Sequence, residues 1–142
     1  MNLSPHFTLE EMTFSQTASR YGIDNTPTPD ALACLHDLAA ALEEVRALFG
    51  NRAVIISSGY RCEALNEAVG GSSTSAHMLG MAADIVSPPP SPLDLCRLIE
   101  GSDIAFDQLI FEFDWVHFAI GPQNRRQVLT YNGNGYTEGL PA

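Results

Sequence analysis

Two short stretches of this chain carry groups able to do chemistry. They are Ser75-Ala-His77-Met-Leu-Gly80-Met-Ala-Ala-Asp84-Ile85 and Asp114-Trp-Val-His117-Phe118. Together they hold two imidazoles and two carboxylates, in segments that otherwise read as sheet and tight loop. Three N and O donors with one position left open for water make up a catalytic zinc site. A further carboxylate beside them makes a proton acceptor. On this reading His77, Asp84 and His117 are the candidate ligands of one Zn²⁺ per chain. Asp114 is the candidate acceptor for the proton of the attacking water.

The spacing places demands on the fold. Six residues separate His77 from Asp84, too many for one helix turn and the wrong number for one face of a strand. The pair meets only if the chain folds back, and Gly80 is the residue between them that is free of a Cβ. Asp84 stands in the apolar run Ala82-Ala-Asp84-Ile-Val86, where a carboxylate is costly unless paired or bound to metal. His117 stands in a similar run, Trp115 to Ile120. Taken singly, each residue also has an ordinary reading: a loop His, a strand-end Asp, a hydrogen-bonded core His. Spacing alone leaves both readings open.

The elements that must position these groups follow from periodicity and turn chemistry. Thr8 and Glu11 fit a capping box opening a short helix, and a second helical turn spans Ser15 to Tyr21, stopped by Gly22. Thr28 as cap, Pro29 at the first helical position and Gly50 at the end bound the main helix. Its apolar stripe is Leu32, Leu35, Leu38, Leu42, Val45 and Phe49, one helix face. His36 lies off that stripe and reads as a surface residue. Ala53–Ser57 predicts a buried strand ending in the turn Ser58-Gly-Tyr60-Arg61, followed by a short helix over Cys62–Val69. Ala82–Val86 predicts a second strand, and Ser91-Pro92 opens a helix to Glu100. Phe106–Phe113 and Trp115–Ile120 predict two strands around a tight turn. Arg126–Tyr131 predicts the last, with a hairpin signal at Asn132-Gly-Asn-Gly135. Helices gathered early and strands late predict one α+β domain over residues 1–142, an antiparallel sheet with helices packed on it.

Composition narrows the function classes. The net charge is -10, with 7 basic against 17 acidic residues, which argues against nucleic-acid binding because phosphate neutralisation needs Lys and Arg. There is no apolar run long enough to span a membrane. The N-terminus lacks a basic segment followed by an apolar one, so the expectation is synthesis in the cytoplasm without a cleaved signal peptide. Cys34, Cys62 and Cys96 are odd in number and far apart, which reads as free thiols rather than a disulfide or Cys-rich metal framework.

The pattern Ser75-x-His77-x-x-Gly80-x-Ala82-x-Asp84, followed by Trp115-Val-His117, resembles the signature of the D-alanyl-D-alanine carboxypeptidase group of zinc peptidases. These are relatives of lysostaphin and of the hedgehog signalling domain. The likeness extends through Ser58-Gly-Tyr60-Arg61, Asn66 and Phe106-Asp-Gln-Leu-Ile110, and so covers Val54 to Ile120. The N-terminal half resembles short phage and prophage endolysins. The resemblance implies a hedgehog/DD-peptidase-like fold and hydrolysis of a peptide bond in peptidoglycan stem or cross-link peptides. An L-Ala-D-Glu endolysin peptidase and a zinc-bearing binding module without turnover are the alternatives. It implies zinc on His77, Asp84 and His117, Asp114 as catalytic carboxylate, Arg61 stabilising negative charge, and Ser75 touching substrate. Many relatives carry Glu before the Trp-x-His segment, so Glu112 competes with Asp114 for the base. Tyr60 and Trp115 are candidate walls of the cleft. The endolysin likeness also implies action on the cell wall after release through a phage membrane-pore partner.

Overall fold

A computed structural model describes residues 1–142. The chain opens with a small hairpin, β1 (Asn2–Ser4) and β2 (Phe7–Thr8), too short to show as an alternation in sequence. Thr8 caps α1 (Leu9–Thr13) with the expected reciprocal capping box to Glu11. Ser15 caps α2 (Gln16–Tyr21), which ends at Gly22 in the left-handed conformation.

The main helix, α3 (Pro29–Leu48), starts as predicted with Thr28 as cap and Pro29 at its head. Leu35, Leu38, Leu42 and Val45 of the predicted stripe are fully buried, while Leu32 is only partly covered. Burial extends beyond the stripe to Ala31, Ala39 and Ala41, because β1, α5 (Pro92–Glu100) and the segment around His77 pack on α3 from different sides. Glu43 of α3 holds the first hairpin. It accepts from Ser4 Oγ at 2.6 Å and His6 N at 2.7 Å, and lies 2.7 Å from His6 Nδ1. His36 is exposed, as expected.

The main sheet has six strands: β3 (Ile55–Ser58), β4 (Ala82–Val86), β5 (Gln108–Phe111), β6 (Val116–Ala119), β7 (Gln127–Tyr131) and β8 (Tyr136–Glu138). Their spatial order is β3-β4-β6-β5-β7-β8. The α+β class holds, with one departure from an all-antiparallel sheet: β5 and β7 are parallel. The strand after β6 must run back against it, therefore in the direction of β5, and it lands on the free edge of β5. β3, expected as a buried strand, is an edge strand with alternating exposure.

Helices cover one face of the sheet. Ala83, Ile85, Leu109, Phe111, Val116 and Phe118 point into the core there. Because side chains alternate along a strand, their neighbours face the other way. Ser58, Asp84, His117 and Ile110 thus form one row across β3, β4, β6 and β5 on the uncovered face.

Candidate metal centre and cleft

Asp84 and His117 reach the uncovered face as direct cross-strand partners of β4 and β6. His77 comes from a 3₁₀ turn, Ala76–Leu79, capped by the Ser75 hydroxyl and ended by Gly80 at φ 73°. The fold-back expected at Gly80 is there, with a second reason for glycine: a Cβ would lie 2.4 Å from the Ala31 carbonyl oxygen of α3. The turn is therefore seated directly on the main helix, and His77 is held over β4.

His77 Nε2 lies 3.3 Å and His117 Nδ1 3.2 Å from the same oxygen, Asp84 Oδ1. The donor atoms of all three residues lie within 4.8 Å of one another. Two donors bound to one tetrahedral zinc at its usual bond length of ~2.0–2.1 Å stand about 3.3 Å apart. The spacing fits such an ion. The His77 tautomer fits too, because Nδ1 is 2.7 Å from the Gly59 carbonyl and donates to it, leaving the Nε2 lone pair free. The imidazoles are buried and Asp84 nearly so. Burial would raise the Asp84 pKa, but hydrogen bonds and charge from His117 and His77 outweigh it and hold the carboxyl well below the usual range. A buried carboxylate kept ionised against two imidazoles suits a cation.

The three residues line a cleft of about 660 Å³ together with Arg61, Ser75, Glu112 and Trp115. Arg61 does not pair with Glu63 or Glu67 on α4 (Glu63–Ala68). Its Nη2 donates to Ser75 Oγ at 3.3 Å, and its buried Nε has no partner. Ser75 thus caps the His77 turn and holds the guanidinium. Glu112, half-buried, projects into the cleft from the end of β5. Burial and the Asp84 charge push its carboxyl above the ordinary range, against the pull of His117, Trp115 and His77. The Trp115 indole N–H is close enough to favour the charged carboxylate yet short of hydrogen-bond geometry, so Nε1 is buried without a partner.

Two sequence candidates stand elsewhere. Asp114 is exposed in the β5–β6 turn and does not line the cleft. The reason is Phe113, whose φ of 67° reverses the chain one residue after Glu112 and turns Asp114 outward. Tyr60 is buried with the core and does not line this cleft, which its neighbour Arg61 enters; it lines instead the adjoining groove that runs past Arg61 and Asp84. The sequence reading also missed three features. Asn25 is buried and joins three segments, donating to Thr13 O and Tyr60 O and accepting from Cys62 N at 2.8 Å. Arg125 donates three times to Asp107 at the rim of the cleft, once from its backbone N–H and twice from its guanidinium. Tyr131 and Tyr136 also line it. Direct pairing of those two tyrosines across the predicted hairpin was the available signal.

No curated protein matches the chain. The family model for Peptidase M15 matches residues 5–119, which takes in β2, α3 and every residue of the His–Asp–His cluster. With that match over most of its length, the chain belongs to the Peptidase M15 family of zinc metallopeptidases.

Proposed function

We propose that this protein is a zinc peptidase of peptidoglycan, hydrolysing a peptide bond in a stem or cross-link peptide as a D-Ala-D-Ala carboxypeptidase or endopeptidase does. The observation that carries the reading is the convergence of His77 Nε2 and His117 Nδ1 on Asp84 Oδ1, with Glu112 and Arg61 in the same cleft. His77 would hold zinc through Nε2, His117 through Nδ1 and Asp84 through Oδ1. Zinc supplies a Lewis acid for the scissile carbonyl and lowers the pKa of water at its open position.

The chain's own residues carry the rest. Glu112 takes the proton of the attacking water and returns it to the leaving amine, the role the sequence had offered to Asp114. Its raised pKa brings it nearer the operating pH than an ordinary carboxylate. Arg61, which lines the cleft, faces the negative charge that develops on the carbonyl oxygen. Ser75 keeps the guanidinium in place. A binding module without turnover needs neither the carboxylate nor the guanidinium, and their presence favours an enzyme. No helix is long and apolar enough to cross a membrane. Delivery to the wall by a phage-type pore partner belongs to the same reading.

The test is digestion of purified peptidoglycan followed by mass spectrometry of the fragments. New amine and carboxyl ends in the stem or cross-link peptides are expected, and the fragment masses name the bond, L-Ala-D-Glu included. An unchanged digest from zinc-loaded protein would sink the reading.

A further inference from the structure

We propose that Tyr131 and Tyr136 form an aromatic shelf that binds the peptide chain of the substrate beside the Glu112 end of the cleft. The inference rests on the peptidase reading above and adds a specificity-determining subsite to it. The two residues are direct partners across β7 and β8, with ring centroids 4.8 Å apart and planes 42° from parallel. The register places them on the uncovered face. Ile110 pairs with Leu129, so Leu129 and, two residues on, Tyr131 share the face of Ile110 and His117. Both rings line the same cleft as the His–Asp–His cluster.

The rings are held, not loose. Tyr131 donates its hydroxyl to Gly133 O at 3.2 Å, and Tyr136 packs against its ring at a tilt while staying 59% exposed. A fixed, exposed aromatic face binds amide planes and methyl groups at little entropic cost. The layout of the sheet gives the shelf its place. On the β3 side of the cluster a second groove, of about 530 Å³, runs past Arg61, Ser58, Ile56 and Phe14. The shelf lies on the opposite, β8 side. A bound peptide therefore finds floor on both sides of the cluster. The shelf is built from residues beyond the segment 5–119 that the family model matches.

The test is isothermal titration of zinc-loaded Glu112→Gln protein, used to prevent turnover, alone and with Tyr136→Ala or Tyr136→Phe added. The probes are a synthetic stem pentapeptide without sugar and the same peptide on its disaccharide. Tyr136→Ala is expected to weaken the pentapeptide about tenfold while lowering the melting temperature by no more than about 4 °C, and Tyr136→Phe to bind within about twofold of the parent. Equal pentapeptide affinity for Tyr136→Ala and its parent overturns the shelf and leaves the peptidase reading standing. A loss seen only with the disaccharide-peptide also overturns it, because the rings would then be holding sugar. A parent that binds neither probe, together with wild-type protein that leaves peptidoglycan uncut, overturns the peptidase reading and the shelf with it.

Discussion

Replacing Gly59 by alanine tests how the backbone orients a ligand. Gly59 follows β3, and its carbonyl accepts from His77 Nδ1 at 2.7 Å. Its other side presses on α1. A Cβ there would stand 2.3 Å from the Met12 carbonyl oxygen and 2.9 Å from Met12 C and Cα. Ordinary contact begins at 3.4 Å, so the two backbones must part by about 1 Å. Neither can rotate away, and Met12 O also accepts from Tyr60 N. The turn at Gly59 must therefore move, carrying its carbonyl with it. A 2.7 Å bond stretched by about 1 Å is no longer a hydrogen bond. Overpacking of this kind costs about 1–3 kcal/mol. At about 3–4 °C per kcal/mol for a chain this size, the Tm falls by about 3–12 °C. Loss of the carbonyl that orients His77 lowers zinc affinity by about 10–100-fold. Calorimetry of the zinc-free protein reads the first effect, and competition with a chromophoric chelator reads the second. Gly50→Ala is the control: it has positive φ but nothing within 4 Å, so it should lose only stability. Wild-type zinc affinity in a destabilised Gly59→Ala protein would refute the orienting role. An unchanged Tm would refute the clash.

Three further outcomes are expected. Glu112→Gln should keep zinc and fold yet lose about 10²–10⁴ in rate, with Asp114→Asn close to wild type; the reverse pattern in a peptidoglycan assay returns the base to Asp114. Arg61→Lys should keep zinc content and Tm but lose much of kcat/KM, because a point charge does not replace the guanidinium fork; unchanged kinetics with a lowered Tm would make Arg61 scaffold. Glu43 has a depressed pKa in the fold, since burial is outweighed by hydrogen bonds from Ser4 and His6. Its contribution is therefore complete above the ordinary carboxyl pKa of 4.5 and is lost as pH falls through the lower folded value. Denaturant melts between about pH 3 and pH 6 should show a shallower acid loss for Glu43→Gln, and parallel curves would count against the tether.

His117 and Asp84 stood out in sequence because each interrupts an apolar strand, and a period of two sends both to the face the core does not use; the pattern left a metal site and the ordinary readings open, and the family resemblance chose between them. Gly80 marked the fold-back that brings His77 to them. The base was not legible. Which residue of Glu112-Phe113-Asp114 faces inward depends on Phe113 taking a positive φ, which a bulky side chain rarely does. Tyr60 and Arg61 are neighbours whose side chains go to opposite places, one to the core and one to the cleft, and a turn does not advertise that split. The parallel β5–β7 pair and the bridging role of Asn25 arise from contacts far apart in the chain. No local pattern encodes them.

The strand order also sets how the centre comes apart. β4, β6, β5 and β7 have a hydrogen-bonded neighbour on each side, while β3 and β8 have one. Amides of the inner strands exchange with solvent only when the domain opens as a whole, and those of edges and short turns through local opening. Asp84 and His117 belong to the first group. His77 stands on a four-residue 3₁₀ turn and belongs to the second. A bound ion is thus anchored at two points in the slowest-opening part of the molecule and at one in a fast-opening part. Release of an ion held there is expected to begin at His77, at a free energy below that of unfolding.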